Sequence, residues 1–396
     1  IKALLPTDII RIEFHDNPGL RYRNAEVVLD YIVRRPETGG NFSVDMSQGV
    51  NALWGEHRVS GKINHKKSEF GASYRIGPRD FYGMSRDNEE IFHLADGTVL
   101  HRKETGDPSH ASMFMHNLNL NYSVQDPEKY LFNATFRYWN NHQPHWDYRG
   151  ILSNLDNPDD YVDMVDLNSS DNQVPALDLY YQRNLKNDQT LVFNVVGTYN
   201  RTSSHRFYQE SRGEELLTDI NNRVSGKKYS LIGEAIYEKK LANGNSLSGG
   251  VWHTQSFSDN EYRNGHDYET HMDQSASSIY GEFKGKVRKL DYMLGVELAR
   301  LYYKQEGTDD SDQFYTFNPR FTLQYALPGQ SFIRLKGYVG NLSPSLGNLN
   351  AVEQVIDSLQ LQRGNPSLES YMSYLLDLNS EYQKAIFYAL VNGTYE

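Results

Sequence analysis

The feature that most constrains this chain is an alternation of apolar and polar residues with a period of two. Tyr130, Phe132, Ala134, Phe136 and Tyr138 alternate with Asn133, Thr135 and Arg137. Leu191, Phe193, Val195, Gly197 and Tyr199 stand against Asn194 and Thr198. Leu290, Tyr292, Leu294, Val296 and Leu298 stand against Asp291, Gly295 and Glu297. Successive side chains of a strand point to opposite faces, so each segment reads as a strand with one oily and one polar side. About fifteen such segments follow residue 40, each roughly 10–14 residues long. Soluble strands usually run to ~5–6 residues, whereas a tilted strand crossing a bilayer needs ~9–11.

The connections sort by parity. Short links rich in Asn, Asp, Gly and Pro are expected at Gln125–Lys129, Lys186–Gln189, Ala242–Asn245, Lys286–Lys289, Pro328–Gln330 and Gln383–Lys384. Longer polar connections are expected near 140–175, 201–227, 259–274, 304–313 and 341–370. Strict alternation puts every short turn at one rim and every long loop at the other, the pattern of outer-membrane barrels. Tyr122, Tyr130, Tyr138, Tyr181, Tyr199, Tyr237 and Tyr325 sit at the ends of the apolar stripes, where an interfacial girdle belongs. A half-buried sandwich also shows period two, but it has no reason to sort its loops.

Composition removes several classes. No Cys is present, which excludes disulfide scaffolds, thiolate zinc sites and iron–sulfur clusters. The 51 acidic against 40 basic residues give a net charge of −11, so nucleic acid is not an expected partner. No apolar run reaches the 18 residues of a helical membrane span. The spacings of a nucleophile elbow, a zinc helix, a phosphate loop and a dinucleotide fingerprint are all missing. Neither an enzyme nor a cofactor is expected.

Residues 1–36 differ in style, and here the chain resembles a known family. Leu5-Pro6, Ile10, Arg11-Ile12-Glu13-Phe14, Asn17-Pro18-Gly19 and Tyr22 precede Val28-Leu29-Asp30-Tyr31-Ile32-Val33-Arg34-Arg35. The block is similar to the end of the plug domain of TonB-dependent outer-membrane receptors, especially the Bacteroidota branch of outer-membrane β-barrel proteins. Arg363-Gly364-Asn365-Pro366-Ser367-Leu368 resembles the motif that opens a late barrel strand in that family. The resemblance implies an all-β fold: a large antiparallel transmembrane β-barrel of the 22-stranded type, incomplete here, over residues 37–396. Residues 1–36 are then the C-terminal part of the plug. It also implies part of a longer polypeptide in the outer membrane of a Gram-negative bacterium.

As partners it implies outer-membrane lipid, the TonB complex (through a segment absent here), a scarce nutrient and a surface lipoprotein. Arg11, with Glu13 beside it, takes by resemblance the position that locks plug to barrel wall, against Glu234 or Glu297. Glu234, Glu238, Glu282 and Glu297 fall on polar stripes and are expected to line a wet lumen.

One segment concentrates recognition chemistry. Trp139, His142, His145, Trp146 and Tyr148 lie at the long-loop end of a strand and set aromatic faces among amides and imidazoles. The mixture suits a sugar, an iron chelate, haem or a peptide; the two indoles equally suit a girdle. The Asp-rich stretch 154–172 reads as a solvated acidic loop without calcium-loop spacing, and no metal site is expected. Two further readings stay open: a barrel serving as a structural or assembly subunit of an outer-membrane complex, and a soluble all-β glycan module.

Overall fold

The computed structural model describes residues 9–15, 28–33, 38–126, 128–263, 267–305, 311–329, 331–342, 344, 348, 352–365 and 367–382. Strands β1 (Ile9–His15) and β2 (Val28–Val33) pair with each other antiparallel, apart from the main sheet. The wall begins with β3 (Thr38–Gln48), β4 (Leu53–His65) and β5 (Ser68–Met84). Two short strands, β6 (Asn88–His93) and β7 (Val99–Asp107), come before β8 (Ser109–Asp126) and β9 (Tyr130–Trp146). The short β10 (Tyr148–Asn154) leads into β11 (Asn157–Leu185), β12 (Gln189–Arg212), β13 (Glu215–Lys240) and β14 (Ser246–Arg263). Next come β15 (Asp267–Val287), β16 (Leu290–Gln305), β17 (Ser311–Ala326) and β18 (Phe332–Leu342). The two-residue β19 (Gln354–Val355) and β20 (Leu361–Gln362) precede β21 (Tyr371–Glu381).

The main sheet has seventeen strands, and all its registers are antiparallel. All but β6, β7 and β10 form one ladder, in the order β3-β4-β5-β8-β9-β11 and then each strand in turn to β18 and β21. Among the described residues this is a wall and not a closed barrel. The expected short turns lie at one rim wherever they are described, and Gln383–Lys384 lies outside the described residues. Asn187, Asp188 and Arg288 take positive φ there (60°, 56° and 55°). Asn and Asp tolerate that left-handed conformation because a short polar side chain can bond locally.

The apolar stripes point outward and stay exposed. Val251, Ile279, Leu298 and Phe317 stand directly opposite one another across four strands, and all four are about half exposed. The opposite face of the same strands carries buried Ser278, Glu282, Asn318 and Thr322. Asn318 donates from Nδ2 to Glu297 at 3.5 Å, and Lys284 pairs with Glu282 at 3.1 Å. An oily exterior against a hydrogen-bonded interior inverts the rule for soluble sheets, and suits a wall with lipid outside and water inside.

The expected long loops are the main correction. Strand β12 runs 24 residues and β13 runs 26, joined by the two residues Gly213 and Glu214. Strand β11 runs 29 residues through the Asp-rich stretch expected as a loop. Above the membrane both faces of a strand are wet, so apolar alternation fades while the ladder of backbone hydrogen bonds continues. Beyond Ser169, β11 exchanges its partner: Ser170–Arg183 pair with β9, whereas Asn157–Asp166 pair with β10. There β10 also pairs with β7, and β7 with β6, which adds a panel to the loop-end rim.

Candidate functional site

The inward face of this panel gathers a polar site. Asn168, Arg206 and Asn222 stand opposite one another on β11, β12 and β13, on the same face as the buried Asp166. Arg206 donates to both oxygens of Asp166, at 2.8 and 3.3 Å, and Asn168 Nδ2 donates to Oδ1 at 2.9 Å. Arg86, between β5 and β6, lies 3.5 Å from Asp166 and binds Glu104 through Nε at 2.9 and 3.0 Å. Charges of alternating sign therefore run from Glu104 through Arg86 and Asp166 to Arg206. Burial, with help from the nearby Asp166 and Glu90 charges, pushes the Glu104 carboxyl above its usual range even though the Arg86 guanidinium pulls the other way. Burial and a 2.6 Å hydrogen bond to Glu210 push the Tyr208 phenol far up, so it remains a neutral donor.

Aromatic faces complete the lining. Trp146 ends β9 and donates from its indole to Tyr148 Oη at 3.0 Å, while the Arg86 guanidinium lies 4.2 Å from the centre of the Tyr148 ring. Beneath them Leu152, Met164, Tyr208 and Ile220 form a buried cluster that fixes the panel to the long strands. The cleft is about 580 Å³, lined by Trp146, Asp166, Asn168, Ser204, Arg206 and Ile356 among others. A volume of that size takes a small-molecule ligand.

A strap forms the roof. Residues 352–365 belong to the connection between β18 and β21, yet they reach the far side of the wall. Arg206 donates to the Ile356 carbonyl at 2.6 Å, and Asn222 to that of Val355 at 3.3 Å. Arg102 on β7 binds both Asp357 and Glu90 at 2.6 Å, with Arg102 and Asp357 buried. In the ladder β12 stands six strands from β18, roughly 29 Å at ~4.8 Å per strand, so the strap crosses the concave side.

The residues singled out in the sequence divide between the two faces. Trp146 and Tyr148 enter the site. His142 lies on the outer face, 3.1 Å from Asp171, and His145 pairs with Asp147 at 3.4 Å. Trp139 pairs in register with Asn117 and Val174, lower on the strand. The expected single loop is thus mostly the end of strand β9, and its side chains alternate. Arg11 sits in β1 opposite Ile32 with its side chain exposed; Glu13 lies two positions on, its side chain outside the described residues. Asp166, Arg206 and Asp357 were missed because they fall in segments read as loops, and Arg86 and Arg102 because they lie in a stretch to which the sequence reading gave no site. The i, i+2 spacing of Asp166-Asn168-Ser170 and Ser204-Arg206-Tyr208 was the available signal.

Comparison with known proteins bears on the fold. Residues 252–396 match the outer membrane protein beta-barrel family. The fold is similar to that of the alcaligin outer-membrane receptor FauA of Bordetella pertussis, with a TM-score of 0.52 and 11% identity over 91% of this chain. The chain forms a large antiparallel β-sheet that resembles the wall of such a receptor's barrel. It spans 51% of FauA, about half that receptor's length. Looser likenesses join it to the ferric yersiniabactin uptake receptor FyuA of Yersinia pestis (TM-score 0.35, 8% identity, 87% of this chain and 66% of FyuA). The ferric citrate transporter FecA gives a TM-score of 0.28 at 9% identity, over 90% of this chain and 73% of FecA. No protein of curated function matches. The likeness is distant, and it does not single out the Bacteroidota branch.

Proposed function

We propose that this chain is part of a TonB-dependent receptor that takes up a scarce nutrient through a plugged barrel. The observation that carries the reading is the polar cavity at the loop-end mouth, on the inner face, roofed by a strap that reaches across the bore. An indole beside amides, hydroxyls and already paired guanidinium groups favours a hydroxyl-rich or amide-rich ligand: a glycan, an iron chelate, haem or a peptide. On this reading residues 1–36 end the plug, and Arg11 with Glu13 faces the inner wall glutamates. The TonB complex acts from the periplasmic side, and a surface lipoprotein covers the mouth.

Uptake by cells carrying the intact protein tests it. Trp146→Ala is expected to lower ligand affinity by about 5- to 150-fold, since one well-placed stacking contact is worth about 1–3 kcal/mol. Loss of TonB is expected to abolish uptake while surface binding persists. Normal growth on every candidate nutrient without the protein, together with a stable complex with other outer-membrane proteins, would favour the assembly-subunit reading instead.

A further inference from the structure

A second cluster lies on the outer face, away from the bore. In register, β8 and β9 run Ser112 opposite His145 but Phe114 opposite His142, two steps on one strand against three on the other. The extra residue is a bulge, a device that re-aims a side chain next to functional sites. Below the bulge the even positions of β9 face outward with Phe136; above it His145 does. The result sets His145 beside His110, with ring centroids 4.4 Å apart. Asp147, in the one-residue break before β10, donates from its backbone N–H to the His110 carbonyl at 3.0 Å. Its carboxylate completes a trio in which one donor atom from each of His110, His145 and Asp147 lies within 4.8 Å of the others.

We propose that His110, His145 and Asp147 form a binding site for a divalent transition-metal ion. Two observations support it besides proximity. The His110 Nε2 atom lies 2.7 Å from Asp80 Oδ1, the carboxylate–imidazole contact that fixes a ligating ring and leaves Nδ1 for the ion. The Tyr82 ring stacks on the other side of His110, with centroids 4.2 Å apart and planes within 8°, so the imidazole is held from both faces. The carboxylates of Asp80 and Asp147 supply two negative charges to a dication. With two nitrogen donors the site selects zinc, nickel or copper over calcium or magnesium. Metal–ligand bonds of about 2.0–2.2 Å require the trio to draw in by roughly 1 Å, a side-chain adjustment. The ion would join the ends of β5, β8 and β9, the strands from which the β6–β7–β10 panel springs.

The purified full chain in detergent, stripped with a chelator and titrated with Zn²⁺, tests the site. One ion per chain is expected, with a rise in melting temperature. His110→Ala and His145→Ala are each expected to weaken binding at least tenfold, and Asp80→Asn about tenfold through the ring it orients. His253→Ala, on a distant strand, is expected to bind as the wild type does. Co²⁺ absorption of the unmutated protein gives a second readout that no misfolded variant can confuse: visible bands of nitrogen coordination are expected. No stoichiometric binding of Zn²⁺, Ni²⁺ or Cu²⁺ by the wild type would overturn the proposal, as would binding that survives both histidine replacements.

Discussion

Leu298→Lys is expected to destabilise the folded sheet in lipid by about 2–4 kcal/mol, while Ala299→Lys, one residue on, changes stability by less than about 1 kcal/mol. The contrast follows from register. Leu298 sits outward between Ile279 and Phe317 and is 56% exposed, so in the membrane its surroundings are acyl chains. Ala299 sits inward between Ser278 and Thr316, on the face that also holds Glu282 and Glu297, where an ammonium finds water and carboxylates. Urea unfolding in lipid vesicles, followed by the shift of the folded band in gel electrophoresis, gives both values. Equal costs at the two positions would mean that the faces do not differ in solvent.

The second large effect is expected at the strap. Arg102→Ala leaves Asp357 buried at 6% exposure without its cation, and stranding a buried charge costs about 3–5 kcal/mol. That is roughly two to three and a half powers of ten in the strap's opening equilibrium. Hydrogen exchange at the Ile356 and Leu359 amides measures it, because both are held within the strap: Ile356 to the Gln360 carbonyl at 2.9 Å, Leu359 to Asp357 Oδ1 at 2.8 Å. Adding Asp357→Asn to Arg102→Ala is expected to recover part of the loss, because the amide keeps the turn acceptor and removes the stranded charge. A double variant as loose as the single one would show that the ion pair does not hold the strap. On the proposed function, an open strap also uncovers the cavity at Arg206 and Trp146.

The wall was legible in the sequence because hydrocarbon imposes a strict pattern. In the rows around Val251, Ile279, Leu298 and Phe317 the outward residues are oily and the inward ones can be polar, so strands, short turns and facing could be read there residue by residue. The candidate site was only partly legible. Trp146 and Tyr148 drew attention as aromatic rings in a polar stretch, but the bulge at Ser112/Phe114, which turns His145 onto the outer face with His142, leaves no mark in hydropathy. The strap's contacts with Arg102 and Arg206 span 255 and 150 positions of sequence, and only the curvature of the sheet brings them together. Asp166 looked like one of several acidic loop residues. Its partners Arg86 and Arg206 lie on the β5–β6 connection and on β12, and local sequence carries no record of them.

The account rests on which face of each strand meets lipid, and the absence of any native thiol makes that directly measurable. Single cysteines placed in turn at 294 through 299 on β16 can be challenged, in the intact protein in bilayers, with a membrane-impermeant maleimide and with a nitroxide carried on acyl chains. Positions 294, 296 and 298 are expected to resist the maleimide and to sense the nitroxide, and positions 295, 297 and 299 to do the reverse. Uniform labelling along the strand, or the opposite phase, would contradict the outward placement of Leu294, Val296 and Leu298, and with it the membrane wall.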